Sequence, residues 1–483
     1  MLFNTLTYLL FLLAIIILYW SFSLRGRLYL IFISSLIFYG FWKVEFLTLL
    51  LIVTVIDWRM AILMNKSSNN SRLYLLLITL FIQLGLLFYF KYLIFFVDSG
   101  INLAQFIGVE LSPVVLNIIL PLGISFYTFQ SISYIVDVYR RSIKPERSYL
   151  IYACYVTYFP QLVAGPILRA NEIIPQFKNY NKFNLNNFNI GGRLIINGLF
   201  LKVVLADNIA PLVDNGYSLP LESISALDVW TLAFLFGFQI YFDFSAYSQI
   251  AIGSARLMGI SFPNNFNFPY MAVSPRDFWQ RWHISLSSWV RDYLYAPLAG
   301  IKAHNNSTKG LAVATDKKKI SSLFLTWGIM GFWHGANWTF ILWGIYHAVI
   351  IFFYRLIKNY FRLFFKNSTL NSIIGFAITL PIIMLGWIPF RAKSSFDTFN
   401  MWAKIIDPLS YTWLGMRENI YIITLLILLG ILVIFLFNRK ILPYIKIKFY
   451  IVFIVFDIIA TALILFFTII FFKTNNQFIY FQF

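Results

Sequence analysis

Long apolar runs separated by short charged segments dominate this sequence and constrain its fold more than any other feature. Many of the runs approach the roughly 20 residues that a helix needs to cross a bilayer. Of the 483 residues, 60% are hydrophobic and only 12% are charged, whereas about a quarter of a soluble domain is charged. So few charges could not keep a surface of this size in water. The sequence excludes a soluble domain, a disordered chain and a fibre, and predicts an all-α polytopic protein in the lipid bilayer.

The charge balance is strongly basic, with 38 Lys and Arg against 19 Asp and Glu and a net charge of +19. In a soluble protein this excess would suggest a nucleic-acid partner. In a membrane protein it is typical of cytoplasmic loops that follow the positive-inside rule and contact anionic headgroups. We therefore expect no nucleic-acid partner, although a cytoplasmic anionic substrate could use the same charge.

The alternation of basic and base-free loops predicts about ten full membrane spans. No basic residue precedes the first apolar run, whereas Arg25 and Arg27 follow it, which places the N-terminus outside. Counting crossings from there places the tail, residues 473–483, outside as well. The predicted spans are Leu6–Trp20, Leu28–Trp42, Val44–Trp58, Leu73–Val97, Val114–Val138, Leu194–Val213, Trp230–Ala255, Ile373–Phe390, Ile420–Phe437 and Tyr450–Phe472.

Three further segments do not fit a full span. Residues 149–168 have basic residues on both sides and contain Pro160, which predicts a re-entrant helix pair. Residues 320–351 also have basic flanks, and these 32 residues are too few for two full spans and a turn. They predict a hairpin that turns inside the membrane or near its outer boundary. In residues 275–298, apolar side chains recur every three or four positions, which predicts an amphipathic helix in the cytoplasmic interface.

Of the four histidines, His334 is the one best suited to catalysis. It lies in the middle of the 320–351 hairpin between Gly331 and Gly335, which would let a substrate approach the backbone closely. A buried imidazole can accept a proton from a hydroxyl group; the alternative is a structural histidine that bonds a backbone carbonyl. His283, on the predicted interfacial helix, is either functional or structural. Of the other two, His304 is expected to be solvated and His347 to be packed.

Two other residue types bear on the chemistry. Asp243 lies inside a predicted span, where a buried acid either orients a base or links helices through hydrogen bonds. Cys154 is the only cysteine, so an intrachain disulfide is excluded and a thiolate metal cluster is implausible. We therefore predict no metal site.

Two histidine-bearing motifs resemble those of the membrane-bound O-acyltransferase (MBOAT) family. The first is Arg276-Asp277-Phe278-Trp279-Gln280-Arg281-Trp282-His283, and the second is Trp333-His334-Gly335-Ala336, whose histidine lies 51 residues after the first. The sequence is most similar to the bacterial branch of alginate and peptidoglycan O-acetyltransferase membrane subunits. Residues 121–130, 159–166 and 239–245 also fit this branch.

The resemblance implies an MBOAT fold in which the spans, both hairpins and the interfacial helix surround a central tunnel. The tunnel would run from a cytoplasmic thioester donor to an outward-facing pocket. His334 and His283 would be catalytic, acetyl-CoA would be the acyl-donor substrate, and no other cofactor is expected. The CoA phosphates would suit the basic cytoplasmic surface. The expected substrate-binding residues are Arg276, Arg281, Asp243, Trp333 and Asn337.

The C-terminal residues 478–483 are similar to an aromatic motif in which a tyrosine is proposed to carry the acyl group. Tyr480 is therefore expected as a third catalytic residue. A phenolate is a better leaving group than a sugar alkoxide, so an acetyl-tyrosine would stay activated for onward transfer. The alternative is an aromatic anchor at the outer interface.

Together these expectations describe a single MBOAT domain over residues 1–483 in a bacterial inner membrane. It would comprise N-terminal peripheral spans (1–113), a catalytic core with the re-entrant segments (114–352), C-terminal spans (353–472) and the tail (473–483). The protein would pass acetyl to an extracytoplasmic partner with a serine nucleophile, and then to a polysaccharide such as peptidoglycan or alginate. D-alanyl transfer to teichoic acid and lipid or polysaccharide transport are the alternatives.

Overall fold

The computed structural model describes residues 1–112, 116–301, 317–364, 368–472 and 478–479. Every regular element in these ranges is helical, which confirms the all-α prediction. The chain forms two compact units. The first contains residues 1–195 and 247–263, and the second contains residues 196–246 and 264–483.

The first unit is built from helices of the N-terminal part of the chain, joined by the last turns of a long later helix. These helices are α1 (Leu6–Ser21), α2 (Leu24–Gly40), α3 (Glu45–Lys66), α4 (Asn69–Leu87), α5 (Leu93–Phe106), α6 (Ile124–Tyr139), α7 (Tyr149–Thr157), α8 (Ala170–Lys178), most of α9 (Leu185–Phe200) and the end of α11 (Ala226–Leu257). A π-helical turn, Phe88–Tyr92, joins α4 to α5.

Buried polar side chains link the helices of the first unit. Gln83 Nε2 on α4 donates to both carboxylate oxygens of Asp57 on α3, at 2.9 and 2.8 Å. The hydroxyls of Tyr8 and Ser254 lie 2.7 Å apart. In a bilayer the lipid tails are as apolar as the helix surfaces, so the hydrophobic effect does not drive helices together. Interhelical hydrogen bonds of this kind help to hold them in contact.

The break predicted in residues 149–168 is confirmed, but the predicted helix pair is wrong. Only α7 is helical, and the return from Tyr158 to Leu168 is an irregular, almost fully buried segment. Side chains satisfy its backbone: Ser35 Oγ accepts the N–H of Phe159 at 3.1 Å, and Tyr155 Oη donates to the carbonyl of Leu168 at 3.0 Å. Irregular backbone is tolerated here because protein surrounds it.

The second unit contains the later helices and the residues of interest for catalysis. It comprises the end of α9, the π-helical turn Leu201–Ala206, α10 (Asp207–Ser218), the first part of α11, α12 (Pro275–Trp279), α13 (Ile284–Trp289), α14 (Ala296–Leu298), α15 (Lys317–His334), α16 (Trp338–Phe364), α17 (Ser368–Arg391), α18 (Ser395–Ile406), α19 (Glu418–Leu436), α20 (Leu442–Lys448) and α21 (Tyr450–Ile470).

The single amphipathic helix predicted for residues 275–298 is wrong. Ser274 caps α12 by accepting the N–H of Asp277 at 3.1 Å, and Pro275 starts the helix. The helix ends after Trp279, and His283 adopts a left-handed backbone conformation with φ of 42°. The apolar spacing is real, but this turn redirects the chain, so Phe278, Trp282 and Leu286 are buried in protein.

Eight helical segments within the described ranges are long and apolar enough to cross a membrane. The prediction of a multi-pass membrane protein is thus confirmed, whereas the count of ten is not. Three predicted spans are helices of only 16 or 17 residues, namely α1, α2 and α6. The eight segments are Glu45–Lys66, Asn69–Phe106, Leu185–Ser218, Ala226–Leu257, Trp338–Ile357, Thr369–Arg391, Glu418–Lys448 and Tyr450–Ile470.

The late start of α6 has a local cause. The predicted span begins at Val114, but the helix begins at Ile124, directly after Gly123, whose φ is 73°. A Cβ atom at this position would lie 2.5 Å from the carbonyl oxygen of Leu162. Glycine is therefore required both for the left-handed turn and for the close approach of the buried irregular segment.

Candidate active site

His334 is the last residue of α15, at the turn of an α15–α16 hairpin. The predicted hairpin is confirmed, but its arms are longer than residues 320–351 because helical structure extends through the basic flanks to Lys317 and Phe364. As a result, α16 contains a segment long enough to cross a membrane, Trp338–Ile357.

Glycines bring the two arms of the hairpin into backbone contact. A Cβ atom on Gly331 would collide with the carbonyl oxygen of Phe340, and one on Gly344 would collide with that of Trp327. The space beside Gly335 is filled by the ring of Phe340. The glycines around His334 thus serve helix packing, rather than the approach of a substrate that the sequence suggested.

The His334 side chain is 6% exposed and lies among aromatic rings. Its ring centroid is 4.9 Å from those of Trp333 and Trp343 and 5.3 Å from that of Phe390, all at steep interplanar angles. These rings and the low exposure leave the imidazole little contact with water. An imidazole at this position is a group that could accept a proton from a hydroxyl.

His283 is fully buried in the turn between α12 and α13. The loop before α12 holds this turn in place, because Asn265 O accepts the N–H of Ile284 at 2.9 Å and Arg281 O accepts the N–H of Asn267 at 2.9 Å. Histidine is one of the few residue types enriched in the left-handed conformation. The sequence thus folds locally to present this side chain from a rigid turn.

The hydrogen bonds of Asn265 fix the tautomer of His283. Asn265 Oδ1 accepts the backbone N–H of Ser285 at 3.2 Å, so this atom is an oxygen acceptor. His283 Nδ1 lies 3.2 Å from the same oxygen and must therefore donate its proton. The Nε2 atom consequently carries the lone pair of the neutral imidazole. Burial lowers the pKa of His283 to about 3, since the charged ring would lose its hydration.

We expect His283 to make the folded chain less stable as the pH falls below about 6.5, its pKa in an unfolded chain. The unfolded state then binds a proton that the folded state does not, so this stabilisation is complete above pH 6.5 and declines toward pH 3. His283→Asn keeps an N–H donor and tolerates the left-handed turn, but does not titrate. Between about pH 7.5 and pH 5, the melting temperature of the wild type in detergent should fall further than that of His283→Asn. Equal falls would contradict the assignment.

A continuous series of aromatic contacts joins the two histidines. The ring centroid of His283 lies 4.7 Å from that of Phe244, which lies 5.1 Å from that of Phe266. The Phe266 ring in turn lies 5.1 Å from that of Trp282. Trp282 lies 4.9 Å from Trp387, which lies 5.6 Å from Phe390 beside His334. Sequence reasoning missed Trp387 and Phe390, because they lie in an apolar run that looked like an ordinary lipid-facing span. The series marks one aromatic interior that contains both imidazoles.

The other histidines have separate positions. His347 is buried, with its ring 4.8 Å from Trp343 and 5.1 Å from Trp279, as its predicted packing role requires. His304 lies outside the described residues. Within the ranges that the structure describes, no three His, Cys, Asp or Glu side chains come together in a way that could hold a metal ion.

The predicted substrate-binding residues occupy different surroundings. Arg281 Nε donates to Asp277 Oδ1 on α12 at 2.8 Å. Arg276, also on α12, is half-buried. Trp333 is buried against His334. Asn337 is exposed at the hairpin turn, where its Oδ1 accepts the N–H of Thr339 at 3.0 Å and caps α16.

Asp243 belongs to a buried charged cluster with Lys202 and Asp207. Lys202 Nζ lies 2.7 Å from Asp243 Oδ1 and 2.8 Å from Asp207 Oδ1. The second oxygen of Asp243 accepts the backbone N–H of Ile479 at 2.8 Å. Asp243 thus links two helices and contacts the C-terminal segment, whereas Tyr480 itself lies outside the described residues.

The family model of the membrane-bound O-acyltransferases matches residues 141–390, which is more than half of the chain and includes both histidines. The chain belongs to the membrane-bound O-acyltransferase family. It is 37% identical to a probable alginate O-acetylase of Azotobacter vinelandii over 81% of this chain and 74% of that protein. It is 39% identical to a peptidoglycan O-acetyltransferase of Helicobacter pylori over 75% of this chain and 70% of that protein.

A teichoic acid D-alanyltransferase of Streptococcus thermophilus is 28% identical over 64% of this chain and 73% of that protein. Membership of the MBOAT family makes this protein a membrane-embedded O-acyltransferase. The transporter alternative is therefore set aside. His283 and His334 both lie on the stretch that defines the family, in the aromatic interior of the second unit.

Proposed function

We propose that this O-acyltransferase moves acetyl groups from cytoplasmic acetyl-CoA to a polysaccharide outside the bacterial inner membrane. Extensive similarity to two relatives named as O-acetylating enzymes carries the proposal, because it spans at least 75% of this chain. Their names give alginate and peptidoglycan as acceptors. The acceptor of this enzyme would accordingly be an exported or cell-wall polysaccharide.

In the proposed reaction, His334 acts as a general base. Its imidazole takes the proton from an acceptor hydroxyl while that oxygen attacks the thioester carbonyl of acetyl-CoA. The C–S bond then breaks, and the CoA sulfur leaves with the proton held by the imidazole, so the histidine is regenerated. Burial of His334 among aromatic rings supports this role, because it limits the access of water that would compete with the acceptor hydroxyl.

Tyr480 is the acceptor that we propose for the first transfer. Its hydroxyl would become an acetyl ester, and the serine hydroxyl of an extracytoplasmic partner would then attack that ester and release the tyrosine. The partner would pass the acetyl group to the polysaccharide. A phenyl ester suits this relay because its leaving group is better than an alkoxide.

The CoA phosphates would bind basic side chains near α12. Arg281 is partly exposed but already pairs with Asp277 at 2.8 Å, so a phosphate would compete with this carboxylate. Arg276, half-buried on α12 five residues earlier, would supply a second positive charge. Guanidinium groups suit phosphate because they donate two parallel hydrogen bonds.

D-alanyl transfer to teichoic acid is the second candidate, and similarity to the Streptococcus thermophilus D-alanyltransferase supports it. That relative is less similar than the two O-acetylating ones, and it matches less of this chain. Because a D-alanyl donor would be a carrier-protein thioester rather than acetyl-CoA, the donor separates the two functions.

The purified protein in liposomes should release CoA from acetyl-CoA and retain the labelled acetyl group on the chain. A D-alanyl thioester of a carrier protein, supplied at the same concentration, should give no transfer above background. Free CoA should inhibit the acetyl reaction by competing for the donor site. Transfer from the D-alanyl carrier without transfer from acetyl-CoA would overturn the proposal in favour of the second candidate.

A further inference from the structure

The buried charged cluster of Lys202, Asp207 and Asp243 is unusual for the interior of a membrane protein. The side chains of Lys202 and Asp243 are each only 2% exposed, and that of Asp207 is 9% exposed. Burying charges is costly, and a buried ion pair is often no more stabilising than apolar side chains of similar volume. Its presence therefore needs a reason other than stability.

The cluster meets the described part of the C-terminal segment. Asp243 Oδ2 accepts the backbone N–H of Ile479 at 2.8 Å, and Lys202 Nζ lies 4.6 Å from the ring centroid of Phe478. Both tail residues are buried, with Phe478 fully enclosed and Ile479 at 7% exposure. The cluster thus makes one hydrogen bond to the tail backbone and one cation–π contact to a tail side chain.

Apolar residues could fill this space, but they could not accept a backbone N–H at one fixed point. A carboxylate oxygen in an apolar interior favours the register that brings an N–H to it, because any other register leaves the polar group unsatisfied. Lys202 in turn holds the other oxygen of Asp243. An Asp243 carboxylate held in this way would select which tail residue docks.

We propose that the buried charged cluster docks the C-terminal segment of its own chain and thereby positions Tyr480 for acyl transfer. Lys202 and Asp243 are then positioning residues that act through the tail. This inference rests on the proposed function, in which Tyr480 carries the acetyl group.

The advantage of docking is entropic. Tyr480 follows Ile479 directly, and consecutive Cα atoms lie about 3.8 Å apart. By chain connectivity a docked Ile479 keeps the next residue within reach of the cluster, and in the proposal this would raise the effective concentration of the Tyr480 hydroxyl at the thioester. A tail without this anchor would have to find the site anew in each cycle.

Accessibility of position 479 tests the docking itself. Cys154, the only cysteine, is buried, so Ile479→Cys in a Cys154→Ala chain gives a single reporter thiol. Asp243→Leu removes the acceptor but leaves Lys202 paired with Asp207, so no buried charge is left alone. This variant should react with a maleimide about tenfold faster than its parent, because the tail loses a charge-assisted hydrogen bond.

Two further variants keep this test decisive. Asp243→Asn retains an acceptor oxygen without the charge and should label at an intermediate rate, even if Asp243→Leu folds poorly. Asp57→Asn is the matched control, because Asp57 is a fully buried aspartate in the first unit that bonds Gln83. It should label like the parent. Parental labelling rates in both Asp243 variants would overturn the docking proposal.

Acetylation of Tyr480 tests the positioning. In an otherwise unaltered chain, Asp243→Leu should reduce acetyl transfer to Tyr480 about tenfold, with the KM for acetyl-CoA unchanged. Mass spectrometry of the C-terminal peptide measures this transfer. Faster labelling with unaltered acetylation of Tyr480 would overturn the positioning role. The proposed relay has its own test, because full polysaccharide acetylation in cells with Tyr480→Phe would contradict a role for Tyr480 as acyl carrier. The docking proposal is tested separately, by the maleimide labelling rates alone.

Discussion

Replacement of His334 by alanine is expected to slow acetyl transfer about 10²–10⁴-fold, the range that a general base usually contributes. The α15–α16 hairpin contains two imidazoles, of which His334 lies at the turn and His347 is packed against Trp343 and Trp279. The aromatic surroundings of His334 cannot replace it, because indole and phenyl rings offer no basic nitrogen. The measurement is the initial rate of CoA release from acetyl-CoA by purified protein in liposomes.

His334→Gln separates catalysis from structure. Glutamine fills much of the same volume between Trp343 and Phe390 and can still donate a hydrogen bond, but it cannot act as a base near neutral pH. We expect it to be as inactive as alanine, with a melting temperature closer to that of the wild type. Wild-type rates in His334→Gln would instead identify His334 as a structural hydrogen-bonding residue.

The pH profile gives a third measurement on the same residue. If His334 must be neutral to work, kcat/KM of the wild type falls on the acid side as the imidazole becomes protonated. The residual rate of His334→Ala should lack this acid limb. If the pH profile of His334→Ala instead keeps an acid limb with the same midpoint as the wild type, a group other than His334 titrates there.

The position of the α15–α16 hairpin could be predicted from the sequence because its signal is local. Basic residues on both sides of one apolar run, with His334 in the middle, predict a turn near membrane depth. The helix ends could not be predicted in the same way, since α15 and α16 run through the lysines and arginines that appeared to bound them. Charge marks where the membrane ends better than where a helix ends.

The surroundings of the site could not be predicted, because they depend on contacts between distant residues. Asp243 stood out as an acid in an apolar run, but its partner Lys202 lies 41 residues away and looked like an ordinary basic residue. Likewise, nothing in the spacing of α12 and α13 indicates that His283 adopts a left-handed conformation beside Asn265. The periodicity of a sequence shows which face of a helix is apolar, but only the tertiary structure shows which residues that face contacts.

Gly331→Ala should damage the enzyme nearly as much as loss of the base, although it adds only one methyl group. The new Cβ atom would overlap the carbonyl oxygen of Phe340 and come within 3.2 Å of the Gly344 Cα atom. Both obstacles are backbone, so the arms must separate, at a cost on the order of 1–3 kcal/mol. Because His334 ends the same helix, a shift of about 1 Å would reduce acetyl transfer roughly 10²-fold.

Gly328→Ala is the matched control, since it makes the same change one turn earlier on α15. Its Cβ atom would meet only the Cδ1 atom of Ile345 at 3.8 Å, an ordinary contact. This variant should keep its activity and melt at the wild-type temperature or slightly above, because alanine favours a helix more than glycine does. Equal losses in the two variants would show that any side chain at these glycines is harmful. A loss confined to Gly331→Ala would show that backbone contact in the hairpin holds His334 in the position that activity requires.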